Sequence, residues 1–155
     1  MKKLVFILLL ALMGCQSAEP ISPAAVDSNS NSASDHDPFS VQLSLPEQVN
    51  VNEQFTMEAE LKNKSDRAFE IMTGEPLFFY VIRDSDGNSD PVLRTDIGVV
   101  RPLDQNQAIL ESHTYRFKNP GVYEITAVAE FTLQGEDDNN QVYKIETDPK
   151  KIEVY

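Results

Sequence analysis

The stretch Tyr123-Glu124-Ile125-Thr126-Ala127-Val128-Ala129-Glu130-Phe131-Thr132-Leu133 determines the fold class of this chain. Apolar side chains stand at every second position, and most of the positions between them are polar. Because successive side chains of a β-strand point to opposite faces of the sheet, this period of two predicts a strand with one buried face. The same alternation occurs in residues 39–45 and 55–61. Residues 77–82 (LFFYVI) are apolar throughout, which predicts a central strand that is covered on both faces.

Turn signals separate these segments and complete the fold prediction. Gly, Pro, Asn and Asp cluster at residues 73–76, 84–90, 119–121 and 135–140. Seven to nine short strands at this spacing predict an all-β fold, an antiparallel β-sandwich of two sheets over residues 39–155. A single helical turn is expected after Asp104, and the last strand is expected to continue past a bulge at Pro149.

The first 15 residues carry a targeting signal. Lys2 and Lys3 precede the apolar residues 4–13 (LVFILLLALM), a run about half the ~20 residues that a membrane-spanning helix needs. This length fits the core of a signal peptide. The next step, Leu12-Met13-Gly14-Cys15, resembles the lipobox of bacterial lipoprotein precursors. The alternative is an ordinary signal peptide or a core segment that happens to end in a cysteine.

The lipobox resemblance implies a membrane anchor. It implies that residues 1–14 are removed and that Cys15, the only cysteine of the chain, carries palmitate-type acyl chains. One acyl chain binds a membrane only marginally, whereas two or more anchor stably. We therefore expect the mature protein on the extracytoplasmic face of the cell membrane. The sequence leaves open whether the envelope is Gram-positive or Gram-negative.

Residues 15–38 follow as the lipidated cysteine and a predicted flexible tether. The stretch is rich in Ser, Asn, Ala, Pro and Asp and has no hydrophobic period. A flexible chain of this length spans roughly 25–30 Å. His36 lies in it between two aspartates, where a solvated side chain is the expectation and a metal site the alternative.

Composition excludes several classes of function. The formal net charge is −12, with 25 acidic and 13 basic residues, which argues against nucleic-acid binding because phosphate contacts need clustered Lys and Arg. The single cysteine excludes an intrachain disulfide and a multi-cysteine zinc site. No nucleotide-binding glycine pattern occurs, so no cofactor is expected.

The sandwich itself resembles known families. Its segment from residue 55 to residue 133 resembles bacterial immunoglobulin-like domains, chiefly at residues 61–66 (LKNKSD) and 119–125 (NPGVYEI). Residues 73–79 and 83–87 resemble the intracellular proteinase inhibitor domain family of bacilli. The Trp-rich strand and the Pro-Gly-Glu turn of that family are absent. The resemblance implies an immunoglobulin-like fold and, as the finer reading, an inhibitor that acts through an exposed loop.

Tyr123 follows a Pro-Gly turn and has two interpretations. A tyrosine in this position often returns its hydroxyl to the backbone and so forms a tyrosine corner. The alternative is a contact with a ligand. The structural role is favoured, because a buried phenol needs a hydrogen-bond partner and the corner supplies one.

Oxygen-bearing side chains at alternate positions make residues 84–90 a candidate cation site. The predicted ligands of a weakly bound cation are Asp84, Asp86, Asn88 and Asp90. The likeness to a calcium loop is partial, because Ser89 occupies the position that needs Gly. A plain hairpin turn is the alternative, since Asp-Gly and Gly-Asn favour hairpins. If residues 84–90, 135–140 and 63–67 meet at one end of the sandwich, they form an acidic tip that attracts cations or basic surfaces.

Catalytic interpretations are weak. His113 is the only histidine of the predicted domain, and no nucleophile elbow accompanies it. No catalytic residue is assigned, and the protein is not expected to be an enzyme. We predict a monomeric lipoprotein with a non-catalytic binding or accessory role in the cell envelope. Its expected partners are the membrane and an envelope protein or a protease, and the alternative function is protease inhibition.

Overall fold

The computed structural model describes residues 37–92, 94–134 and 140–155, with only the backbone of residue 96. These residues form ten strands: β1 Phe39–Ser44, β2 Gln48–Val49, β3 Phe55–Asn63, β4 Phe69–Arg83, β5 Ser89–Val92, β6 Thr95–Leu103, β7 Ala108–Tyr115, β8 Gly121–Leu133, β9 Gln141–Glu146 and β10 Lys150–Val154. Within this described part of the chain, no helix is long and apolar enough to cross a membrane.

Two sheets enclose one core. The smaller sheet has the order β1-β3-β7, and the larger, seven-stranded sheet has the order β2-β10-β8-β4-β5, with β6 also on β4 and β9 also on β8. Buried apolar side chains of both sheets form a single cluster, which includes Phe39 and Leu61 from the small sheet and Phe78 and Ile125 from the large one. The predicted all-β, immunoglobulin-like β-sandwich is therefore confirmed. The strand number exceeds the expected seven to nine, because β2 has only two residues and residues 89–103 form two strands.

The two strands predicted with most detail lie side by side at the centre of the large sheet. β4 pairs with β8 from Ile71↔Leu133 to Arg83↔Glu124. The apolar stretch 77–82 lies in β4, with β8 on one side and β5 and β6 on the other, as a central strand requires. β8 departs from simple alternation, because residues 125–129 are all buried. On its outer face Val128 pairs with Phe79, whose ring lies under the Arg94 guanidinium.

The predicted turn at residues 73–76 is wrong. This segment is an irregularity inside the 15-residue β4, where the register shifts between Thr73 and Phe78. Glu111 of β7 reaches across from the small sheet, and its Oε2 accepts hydrogen bonds from the backbone N–H groups of Leu77 (2.8 Å) and Phe78 (3.3 Å). A side chain of the opposite sheet thus satisfies backbone groups that the shifted ladder leaves unpaired, and the strand continues.

Two further local predictions, at residues 104–107 and at Pro149, have different outcomes. Residues 104–107 form a turn between β6 and β7 and not a helical turn, with the N–H of Gln107 donating to the Asp104 carbonyl at 3.0 Å. At the predicted Pro149 interruption, β9 and β10 follow the same side of β8, and Thr147 bridges the gap. Its Oγ1 accepts a hydrogen bond from the N–H of Ala127 at 3.0 Å.

The strand register also fixes which loops share an end. Residues 64–68 precede Ile71, which pairs with Leu133 near one extremity of β8. Residues 84–88 follow Arg83, which pairs with Glu124 at the other extremity of β8. The prediction that residues 84–90 share an acidic tip with residues 63–67 is therefore wrong, and residues 135–139 of the predicted tip lie outside the described residues. The order of the segments in the sequence does not show that β4 pairs with β8. This pairing places the two connections at opposite ends of β8.

Candidate functional site

The predicted lipidation site lies outside the described residues. Cys15, the signal peptide and residues 16–36 of the predicted tether all precede residue 37, and His36 lies among them. The lipid anchor and the domain boundary at residue 38 therefore stay predictions from the sequence.

The predicted cation loop is built as a hydrogen-bonded hairpin turn. Oδ1 of Asp84 accepts the backbone N–H groups of Asp86 at 3.0 Å and Asn88 at 2.8 Å, and Oδ2 accepts the side-chain amide of Asn88 at 3.0 Å. Gly87 has a φ of 82°, the left-handed region that glycine occupies without steric cost. The amide of Asn88, with further bonds from the turn, lowers the pKa of Asp84 below its usual value. This carboxylate therefore stays ionised as part of the turn.

The cation prediction itself stays a prediction. Among residues 37–92, 94–134 and 140–155, no group of three or more His, Cys, Asp or Glu is placed to hold a metal ion. Both oxygens of Asp84 already accept hydrogen bonds within the loop. Three of the four predicted ligands, Asp84, Asn88 and Asp90, instead line one wall of a groove, and Asp86 lies outside that lining.

This groove is the candidate functional site, and we call it the end groove. It has a cavity volume of about 500 Å³ at the end of the sandwich where β7 leads into β8. Asp84, Asn88, Ser89 and Asp90 form one wall, which we call the acidic wall, and residues 116–119 form the other, which we call the basic wall. Ile82, Tyr115 and Tyr123 complete the lining. A volume of a few hundred Å³ is typical of sites for small ligands.

Stacked aromatic rings make the floor rigid. The ring of Phe117 is buried and lies between Phe55 (centroids 5.6 Å apart) and Tyr123 (4.2 Å), with both pairs nearly parallel. Tyr115 meets Phe117 edge to face at 5.1 Å. Such contacts add to the stabilisation from burial. The tyrosine-corner prediction is confirmed, because the hydroxyl of Tyr123 donates to the carbonyl of Asn119 at 3.2 Å.

The hydroxyl groups of Tyr115 and Tyr123 each have a polar neighbour in the groove lining, Asp90 and Asn119 respectively. The carboxylate of Asp90 lies near enough to the Tyr115 phenol to interact with it electrostatically, so the floor and the acidic wall are neighbours. Burial raises the pKa of Tyr115, and the negative charge of Asp90 raises it further. The phenol therefore keeps its proton at neutral pH.

Two exposed basic side chains, Arg116 and Lys118, belong to the basic wall. Arg116 and Lys118 are exposed on either side of the buried Phe117, so both project towards solvent on the groove side. Neither has an ion-pair partner within the described residues. The backbone beneath them is fixed, because the carbonyl of Phe117 accepts the N–H of Asn52 at 2.8 Å.

Sequence reasoning missed the basic wall. Arg116, Lys118 and Asn119 received no role, although two basic residues separated by one aromatic residue are unusual in so acidic a chain. That signal was available, but its partner wall lies about 30 residues earlier and joins it only through the β4–β8 pairing. His113, the histidine weighed for catalysis, lies elsewhere and packs on Tyr80 with ring centroids 5.4 Å apart.

Comparison with known proteins gives likeness of fold alone. No protein-family model and no curated protein matches the sequence. Among solved structures, the CARDB domain of a Pyrococcus furiosus protein, crystallised in complex with di-metal ions, has a TM-score of 0.45 and 16% identity, over 76% of this chain and 87% of that one. The Bacillus subtilis sporulation control protein Spo0M has a TM-score of 0.47 and 10% identity, over 76% and 49%.

A third similar structure belongs to an enzyme. The β-glucosidase EmGH1 of Erythrobacter marinus has a TM-score of 0.44 and 15% identity, and the likeness covers 76% of this chain but only 15% of that one. Likeness at these levels carries no argument about what the present chain binds or whether it catalyses a reaction.

Proposed function

We propose that this protein is a lipid-anchored, non-catalytic binding protein on the extracytoplasmic face of a bacterial cell membrane, with the end groove as its binding site. The observation that carries the anchor is the order of features at the start of the chain. A basic pair, a short apolar run and Leu12-Met13-Gly14-Cys15 follow one another, and Cys15 is the sole cysteine. A cysteine with two acyl chains meets the requirement for stable anchoring.

The protonation states in the end groove support binding rather than catalysis. A general acid or base works best when its pKa lies near the working pH. The pKa of Asp84 is lowered by hydrogen bonds of its turn, and the pKa of Tyr115 is raised by burial and by Asp90. Both shifts move the groups further from neutrality, so neither is suited to exchange protons with a substrate at pH 7.

Mass spectrometry of the protein from cell membranes tests the anchor. The expected product begins at Cys15 and carries a diacylglyceryl group, and Cys15→Ser leaves an unprocessed chain that lacks the lipid. Ser28→Ala, within the predicted tether, is the matched control and is expected to be processed and lipidated normally. Recovery of the wild-type chain with a bare Cys15 thiol and residues 1–14 still attached contradicts the proposal.

Protease inhibition is the second candidate, and it rests on the resemblance of residues 73–79 and 83–87 to the proteinase inhibitor family. In the fold, the first stretch lies inside β4 and the second forms the exposed start of the β4–β5 hairpin. A panel of serine, cysteine and metalloproteases incubated with the mature lipoprotein in detergent separates the two functions. Saturable inhibition of any of them, lost when residues 84–88 are altered, favours the inhibitor.

A further inference from the structure

The chemistry of the end groove indicates the class of ligand that it takes. We propose that the end groove binds an acidic saccharide, with the sugar carboxylate at Arg116 and Lys118 and the sugar hydroxyls at the acidic wall. The inference deepens the proposed binding role, on which it rests. Three features of the groove carry it: two cations without an ion-pair partner among the described residues, an opposite wall of acceptors and a tyrosine floor.

The basic wall favours an anionic group on the ligand. Arg116 and Lys118 have no ion-pair partner within the described part of the chain, although acidic residues outnumber basic ones by 25 to 13. A guanidinium matches a carboxylate with two parallel hydrogen bonds, and an ammonium adds a second charge-assisted contact. The buried Phe117 between them, with its carbonyl bound to Asn52, holds both at a fixed spacing.

The acidic wall favours hydrogen-bond donors on the same ligand. Ionised carboxylates only accept hydrogen bonds. The exposed carboxylate of Asp90 lines the groove together with Asn88 and Ser89. A ligand that lies between the walls must therefore carry an anionic group on one side and hydroxyl donors on the other.

The floor favours a ring with a flat apolar face. Tyr115 and Tyr123 are half-buried, and their rings are held by Phe117. The C–H face of a pyranose ring packs on such aromatic surfaces, while its hydroxyls project towards the walls. A uronic-acid unit has all three features: a carboxylate, several hydroxyls and an apolar ring face.

The same groove disfavours other classes of ligand. A phosphate chain offers no hydroxyl donors to Asp84 and Asp90, whose ionised carboxylates can only accept hydrogen bonds. A metal cation would face Arg116 and Lys118 across the groove. An apolar ligand would desolvate both charged walls without giving them partners.

Titration calorimetry of the mature lipoprotein in detergent tests the proposal, with tetragalacturonate as the acidic probe and maltotetraose as the neutral one. Saturable binding of tetragalacturonate is expected, with maltotetraose weaker by about tenfold or more, because it lacks the charge-assisted contacts. Raising the salt concentration is expected to weaken the acidic probe only. Equal binding of the two probes, or binding of neither, overturns the proposal.

Two pairs of variants locate the site. Arg116→Ala/Lys118→Ala is expected to weaken tetragalacturonate by at least about tenfold. The control Lys62→Ala/Lys64→Ala removes the same charge from either side of the buried Asn63 at the opposite end and is expected to change nothing. Asp90→Asn is expected to weaken binding and Asp86→Asn to leave it unchanged. Equal effects of the two double variants overturn the assignment to the end groove, whereas the lipid anchor is judged separately by the mass of the Cys15 peptide.

Discussion

The two ends of the sandwich use polar side chains in opposite ways. At the end where β3 leads into β4, the side chain of Asn63 is fully buried and its hydrogen-bonding groups are used. Its Nδ2 donates to the carbonyls of Arg67 at 2.7 Å and Asp104 at 3.0 Å. Its Oδ1 accepts the N–H of Ser65 at 3.0 Å and the hydroxyl of Ser65 at 2.7 Å. We call this region the Asn63 end.

The end groove, at the opposite extremity, leaves charges exposed over a rigid floor. Arg116 and Lys118 have no ion-pair partner in the described chain, and Asp90 is exposed. A buried polar group whose bonds are all internal serves the fold, because losing a partner is costly. Exposed polar groups held by packed aromatics are already positioned for a ligand. The contrast indicates a structural role for the Asn63 end and supports the proposal that the end groove is the binding site.

Removing the Asn63 network is expected to have the largest effect on stability. Asn63→Ala leaves the Asp104 carbonyl and the Ser65 N–H without their Asn63 partner and removes the Asn63 bonds to the Arg67 carbonyl and the Ser65 hydroxyl, which should lower the free energy of unfolding by about 2–4 kcal/mol. Asn119→Ala, an exposed asparagine of the basic wall, is the control and should change it by less than about 0.5 kcal/mol. Urea unfolding followed by circular dichroism measures both. Similar decreases in the free energy of unfolding for the two variants would contradict the proposed difference between the two ends.

The floor of the end groove is expected to show an intermediate effect. Tyr123→Phe removes the hydroxyl that donates to the Asn119 carbonyl but keeps the ring on Phe117. One neutral hydrogen bond contributes about 1 kcal/mol, so the free energy of unfolding should fall by about that amount. Ligand binding should weaken as well, because the Asn119 carbonyl belongs to the basic wall. An unchanged stability would mean that the corner does not hold the wall.

Acid should loosen the end groove before it affects the Asn63 end. Hydrogen bonds to the ionised form lower the pKa of Asp84 below its ordinary value of 3.8. Their stabilising contribution is therefore fully present above pH 3.8 and is lost as the pH falls through the lower pKa of the folded state. Amide NMR shifts of Asp86 and Asn88 should stay constant from pH 7 to that range and then move. Asp84→Asn should abolish the transition, and its persistence in that variant would assign it to another group.

The basic wall should contribute least to stability. Arg116 and Lys118 are exposed and make no ion pair among the described residues, so Arg116→Ala/Lys118→Ala should change the free energy of unfolding by less than about 0.5 kcal/mol. The same variant should lose ligand binding. Thermal unfolding of the variant beside the wild type gives the comparison. A large loss of stability would show that these side chains serve the fold and not a ligand.

Local pattern predicted the elements of this fold but not their relative positions. The alternation in residues 123–133 and the apolar stretch 77–82 predicted the two central strands, and the Pro-Gly turn predicted the corner at Tyr123. These features depend on neighbouring residues. Gly74-Glu75-Pro76 suggested a turn, yet Glu111, far along the chain, satisfies the backbone there and keeps β4 continuous.

The end groove could not be assembled from the sequence for the same reason. Its walls come from residues 84–90 and 116–119, and only the register of β4 on β8 brings them to one end. Local alternation of apolar and polar residues does not show which strands pair or in which register. The acidic wall was therefore assigned to a different end, and the basic wall received no role.

Amide NMR mapping during addition of tetragalacturonate tests the central claim most directly. If the end groove is the binding site, the shifts should be saturable and confined to residues 88–90, 115–119 and 123, with residues 63–67 unchanged. Shifts centred on residues 63–67, or no saturable shift at either end, would contradict the functional contrast between the two ends of the sandwich.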